Sequence, residues 1–260
     1  MAEPTVTLSF ADGVARVTLA RPEVRNAFNA TVIGELHAIF KRIAAADDVR
    51  AVVLAGEGNV FCGGADVNWM RESLDLSFEA NAIDAERMSD MFRAIDNCPR
   101  PVIARIQGAA LGGGAGLAAA CDIAVAADDA VFGFTEVKLG IIPAVISPFV
   151  LAKIGPTHAR ALFFTGERFD AGRAMRIGLV HHVVPAAELD AAVDCCIGEL
   201  RSAGPYAASA AKLLIRRVLD ATYEETRAIT SRAIADLRIS PEGQEGLRAF
   251  LERRKPTFHA

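Results

Sequence analysis

The sequence predicts an α/β protein assembled from recurring ββα units, followed by a helical C-terminal region. Three observations carry that reading. Short aliphatic runs alternate with longer amphipathic stretches at a spacing of about fifty residues, which points to stacked repeats rather than a simple doubly wound sheet. Two of those runs, "AVVLAG" (Ala51–Gly56) and "VIARI" (Val102–Ile106), have the near-continuous apolar character of parallel strands covered on both faces. After about residue 200 the β signal fades, and "YAASAAKLLIRRVL", "YEETRAITSRAIADLR" and "EGQEGLRAFLERR" read as helices. The expected organisation is a core over 1–200 and a helical region over 201–260.

The elements follow in order. "VTLSF" and "VARVTLA" form two strands joined across Asp12-Gly13, a strong hairpin signal. Asn29 is suited to cap a helix in which Val32, Leu36, Ile39, Phe40 and Ile43 recur at helical spacing. After "AVVLAG" come a loop "EGNVFCGG", a helix from Ala65, and a second helix carrying Ile83, Met88, Met91, Phe92 and Ile95 that "NCPRP" stops. "VIARI" then leads into "GAALGGGAGLAAACD" (Gly108–Asp122), where an apolar helix runs through Leu117 and Ala120. "DIAVAA" and "VFGF" supply further strands.

Composition narrows the function classes. With 260 residues, 52% of them hydrophobic, and a net charge of −4, the chain reads as an ordinary soluble domain with no bulk field for nucleic acid. Its dense basic cluster, Arg253-Arg254-Lys255, suits a helix end. The opening "MAEPTVTLSFADG" reads as neither signal peptide nor anchor, and the longest uncharged runs fall short of the roughly 18 apolar residues of a span. A cytoplasmic enzyme without membrane contact is expected. Five cysteines without C-x-x-C spacing read as reduced thiols, and the adjacent His181 and His182 face opposite ways on a strand, so no metal site is expected.

The glycines carry the chemistry. "GGGAGL" places Leu117 where a dinucleotide-binding loop needs its last glycine, and no G-K-[ST] follows. The remaining use of bare backbone after a buried strand is to present an amide at a helix start to a developing negative oxygen. Gly112–Gly114 suit that task, and "VFCGGADVNWM", with Gly63-Gly64 before Ala65-Asp66, has the same grammar. The amides of Ala65 and Gly113 are thereby expected to meet at one carbonyl oxygen, although either loop alone would serve tight helix–sheet packing equally well.

The segments "RPEVRNAFN", "FCGGADVNWM", "GAALGGGAGLAAACDIAVAADDAVFGFTEVKLGIIP" and "AFLERRKPTF" closely resemble the enoyl-CoA hydratase/isomerase family, also called the crotonase family. The resemblance spans about residues 6 to 258. It implies the crotonase fold, a C-terminal region used in trimerisation, homotrimers or hexamers built as dimers of trimers, and acyl-CoA thioester substrates, with coenzyme A part of the substrate and no separate cofactor. It assigns the oxyanion-hole amides to Ala65 and Gly113, with Gly112 beside the latter. Coenzyme contacts map onto Arg25–Ala27 (Arg25, Ala27) and Gly63–Val67 (Gly63, Asp66, Val67), with Lys255 or a neighbouring arginine reaching the phosphates.

Glu136, in an apolar neighbourhood, matches a catalytic glutamate of that family, and desolvation would raise its pKa usefully. The second glutamate of familiar hydratases is replaced by Gly116. A single carboxylate suffices for a Δ3-Δ2 isomerase. A finer resemblance, to a bacterial subgroup acting on 3-methylglutaconyl-CoA in leucine degradation, implies a hydratase instead. A non-catalytic acyl-CoA-binding member is the alternative from another class. Trp69, Met70, Phe132, Leu139, Ile142 and Val145 are expected around the acyl chain, Trp69 and Met70 foremost.

Overall fold

A computed structural model describes residues 4–258. The first hairpin forms where expected: β1 (Val6–Ala11) runs antiparallel to β2 (Val14–Leu19), with Ala11 opposite Val14. Asp12 and Gly13 both take positive φ, as the turn that matches strand twist requires. From β2 onward the pairing is parallel. β3 (Ala51–Gly56), β4 (Val102–Ile106), β6 (Ile123–Ala127) and β9 (His182–Val184) complete a six-stranded sheet of order β1-β2-β3-β4-β6-β9. Its centre is covered on both sides, which is why β3 tolerates no polar side chain.

Asn29 caps α1 (Ala30–Ala44), its side-chain oxygen accepting from the Val32 amide at 3.0 Å. The buried stripe Val32, Leu36, Phe40 and Ile43 joins the core that Met91, Phe92 and Ile95 of a later helix also enter. Between them lies α2 (Val67–Glu72), only six residues long, and then α3 (Phe78–Asp96).

Of a second sheet with three residues per strand, the sequence marks only the middle strand, as "VFGF". β5 (Ala109–Leu111) pairs in parallel with β7 (Val131–Gly133), and β8 (Arg168–Asp170) pairs antiparallel to β7. Three residues of "AAL" carry too little alternation to register as a strand. α4 (Gly113–Ala120) follows β5 at once, so the glycine stretch is a strand-to-helix corner. α5 (Ser147–Thr165), broken at Gly155-Pro156, and α6 (Ala171–Arg176) complete the helices up to β9.

The chain divides into two compact units. The first comprises the residues up to Cys98 and Val102–Val193, and the second Pro99–Pro101 and the residues from Asp194 onward. α7 (Leu189–Ser202) lies across that boundary, and the second unit holds α8 (Pro205–Leu219), α9 (Tyr223–Ile239) and α10 (Pro241–Leu251). Thr222 and Glu225 close a reciprocal capping box on α9. No helix among the described residues is long and apolar enough to cross a membrane.

Candidate active site

The Ala65 amide is set free by the geometry of a single β-bridge. Phe28 N–H donates to Gly64 O at 2.8 Å, and Phe28 O accepts from Asp66 N at 2.7 Å, so Phe28 pairs with both neighbours of Ala65. Because successive peptide groups of an extended chain point to alternate sides, Ala65 N–H is directed away from Phe28. It finds no backbone acceptor among the described residues. Sequence reasoning starts the helix at Ala65, but α2 begins at Val67, with Asp66 as the cap whose carboxylate accepts from Asn68 N. Ala65 is thus an extended residue before a helix, and its amide owes its freedom to the bridge.

The Gly113 amide is free for a different reason. It is the first residue of α4, where the opening amides have no partner one turn back. Gly112 makes the corner with φ +51, a conformation that side chains other than glycine's rarely adopt, and its N–H is anchored to Gly133 O at 2.8 Å. The glycines after it serve close approach: a Cβ on Gly113 would run into the Phe28 ring, and one on Gly114 into Cys62. Phe28 therefore links both turns, holding the Ala65 segment with its backbone and the start of α4 with its ring.

Glu136 opens a 3₁₀ turn, Glu136–Leu139, shortly after β7. The preceding Phe134 is buried and packs edge-on against Phe163, which anchors the approach to the turn. One carboxylate oxygen sits where a Cβ on Gly112 would lie only 3.2 Å away. The other is buried without a hydrogen-bond partner among the described residues. Burial pushes the Glu136 carboxyl above the ordinary range, only partly opposed by a backbone N–H. A carboxyl of raised pKa with one unpartnered oxygen is suited to exchange protons with a bound molecule.

Ala65, Gly113 and Glu136 all line one cavity of about 440 Å³. Gly63, Gly112, Trp69, Met70 and Ile142 border it too, as do Leu139 and Val145. Phe132 does not; it is fully buried and stacks on Phe169, so it belongs to the core rather than the acyl pocket. Arg25, Ala27, Asp66 and Val67 are likewise outside the lining. Arg25 O accepts from Gly63 N at 2.8 Å, while Ala27 O and the Asp66 carboxylate both take hydrogen bonds from Arg21. Val67 is exposed, and so is Lys255, in the second unit.

Gly116 requires a correction as well. It is buried within α4 and does not border the cavity. A Cβ there would overlap the Ile146 Cγ2 methyl and lie 2.9 Å from Ile146 Cβ and 3.2 Å from Phe92 Cε1. Ile146 itself lines the cavity, so an aliphatic side chain fills the place expected for a second acid. Phe28, Met88, Thr135 and Ile146 were missed by sequence reasoning. The signal for Ile146 lay in "PAVISPF", an apolar run shortly after the Glu136 turn.

Comparison with known proteins identifies the family. The model of the enoyl-CoA hydratase/isomerase family matches residues 9–260. The short-chain-enoyl-CoA hydratase of Clostridium acetobutylicum is 33% identical over 248 residues, covering 93% of this chain and 92% of that protein. The solved structure of an enoyl-CoA hydratase from Shewanella pealeana superposes with a TM-score of 0.94 at 38% identity, covering 97% of this chain and 95% of its own. That of Pseudomonas aeruginosa AtuE superposes with 0.95 at 36%, covering 98% and 100%. With its crotonase fold and a family match over nearly its whole length, the chain belongs to the enoyl-CoA hydratase/isomerase family.

Proposed function

We propose that this protein is an enoyl-CoA hydratase that adds water across the 2,3 double bond of a short or branched enoyl-CoA, with Glu136 as its only acid/base. The amides of Ala65 and Gly113 receive the thioester oxygen. Glu136 as carboxylate takes a proton from water while the water oxygen bonds to C3, and the double-bond electrons pass through C2 to the thioester oxygen as an enolate. The carbonyl then re-forms as Glu136 returns that proton to C2. The observation that carries this reading is that Glu136, with one carboxylate oxygen unpartnered, lines the cavity that Ala65 and Gly113 also border.

A second reading has its own support. Ile146 beside Gly116 leaves any water without a second acid from that position, and a Δ3-Δ2 isomerase needs no water: Glu136 would take a proton from C2 of a 3-enoyl thioester and return it to C4 as the double bond moves to C2–C3. The 3-methylglutaconyl thioester adds a distal carboxylate, and no cation among the described residues lines the cavity to receive it. Exposed apolar side chains of the second unit, including Leu213, Ile215 and Phe250, support self-association as trimers or dimers of trimers.

Incubation with crotonyl-, 3-methylglutaconyl- and 3-hexenoyl-CoA in heavy-oxygen water separates the readings. Label in a 3-hydroxyacyl product is expected. A shifted double bond without label would replace hydration by isomerisation, and no reaction with any thioester would favour a binding protein. Glu136→Gln is expected to lower turnover by roughly 10²- to 10⁴-fold.

A further inference from the structure

We propose that the Arg21–Asp66 ion pair is a positioning device that fixes the direction of the Ala65 amide by strapping together the two residues flanking the Phe28–Ala65 bridge. The inference rests on reading that amide as a thioester-oxygen donor. Arg21 Nη1 donates to Ala27 O at 2.7 Å, and Nη2 donates to Asp66 Oδ2 at 2.8 Å. Ala27 immediately precedes Phe28, and Asp66 immediately follows Ala65. One planar guanidinium thus spans both sides of the bridge, with its two arms held in a rigid fork.

The Ala65 segment needs such a strap. It lies outside the named strands, held to Phe28 by an isolated bridge, with Gly63-Gly64 before it and a six-residue helix after it. Neither flank supplies a long ladder to fix a peptide plane. The strap is itself tied down: Asn26 Oδ1 accepts from Arg21 N at 2.9 Å, and Asn26 Nδ2 donates to Glu57 O at 2.9 Å and Val60 O at 2.7 Å. Asn26 and Asp66 are the buried polar residues among those described, and both belong to this one network.

Stability alone does not account for the pair. A buried ion pair contributes little that well-packed apolar residues would not, because desolvation offsets its attraction. What it supplies that apolar packing cannot is direction. Nor does the pair border the cavity: Arg21 and Asp66 are absent from its lining, with side chains 16% and 6% exposed. Asp66 Oδ1 is engaged by Asn68 N at 2.8 Å and Oδ2 by Arg21, so both carboxylate oxygens are taken up within the strap and the helix cap.

The test compares wild type, Asp66→Asn and Arg21→Lys. Asp66→Asn keeps an oxygen for Asn68 N and removes the charge; Arg21→Lys keeps the charge and loses the fork. Two readouts are taken: steady-state kinetics, and the infrared carbonyl stretch of bound butyryl-CoA labelled with carbon-13 at the thioester carbon. The saturated thioester cannot react, so the stretch reports hydrogen bonding to its oxygen in each protein. Asp66→Asn is expected to lower kcat about ten- to a hundredfold with KM within about threefold, and to lose part of the carbonyl red-shift seen in wild type. Arg21→Lys should fall between the two, and it carries both readouts if Asp66→Asn does not fold. A red-shift unchanged in the folded variants, or a rise in KM with kcat intact, overturns the inference and leaves the oxyanion reading standing. No red-shift in wild type overturns both.

Discussion

Gly116→Ala tests directly whether Ile146 has closed the second acid position. In a helix interior, alanine gains about 1 kcal/mol over glycine by propensity. Against that gain, the new methyl overlaps Ile146 Cγ2 and sits 2.9 Å from Ile146 Cβ and 3.2 Å from Phe92 Cε1. The methyl can turn aside only by a rotamer change, whereas Ile146 Cβ moves only with the backbone at the start of α5. Both neighbours are buried, Ile146 at 3% exposure and Phe92 at 0%. Overpacking of this kind costs roughly 1–3 kcal/mol, so the clash outweighs propensity and leaves a net loss of about 1 kcal/mol. In a chain of this size that lowers Tm by about 2–4 °C. Ile146→Ala alone opens a cavity and costs about 2–5 kcal/mol. The double variant should be more stable than the sum of the two by about 1–3 kcal/mol, because each change relieves the other. Thermal and urea unfolding of the four proteins measure this. A Gly116→Ala protein more stable than wild type, or strict additivity, would refute the packing argument.

Three further outcomes follow from the same geometry. Gly116→Glu with Ile146→Ala is expected to gain crotonyl-CoA hydration over Ile146→Ala, while Gly116→Glu in the wild-type background gains none; product assay of each checks this. The folded-state pKa of Glu136 is raised, so the unfolded chain ionises first as pH climbs from about 4.3, and stability falls until the folded group ionises as well. Glu136→Gln should therefore raise Tm at neutral pH and lose that advantage near pH 4, and the acid limb of the wild-type rate profile should lie above the ordinary glutamate range. Gly112→Ala strains a backbone at φ +51 and crowds the Glu136 carboxylate, so kcat should fall with the global fold intact by circular dichroism.

Much of the candidate site was legible because two of its three groups are backbone amides at glycine-flanked turns. Two glycine-flanked turns after short strands pointed to Ala65 and Gly113, and the family resemblance pointed to Glu136; all three border one cavity. The start of α2 was placed two residues early because Ala65, a strong helix former, follows the glycine pair directly, whereas Asp66 after it is the cap. Phe132 was expected beside the acyl chain because an aromatic residue in a short strand looks the same whether it faces a cavity or the core.

By itself the sequence determined the hairpin, the buried parallel strands, the amphipathic α1 and α3 and the corner before α4, since these follow from side-chain period and from backbone preferences within a few residues. Tertiary structure alone decided that Phe28 would join both amide turns, that Arg21 would reach Asp66, and that Ile146 would occupy the space beside Gly116. Each of those depends on which distant segments meet within a few ångströms, and local periodicity holds no record of that approach.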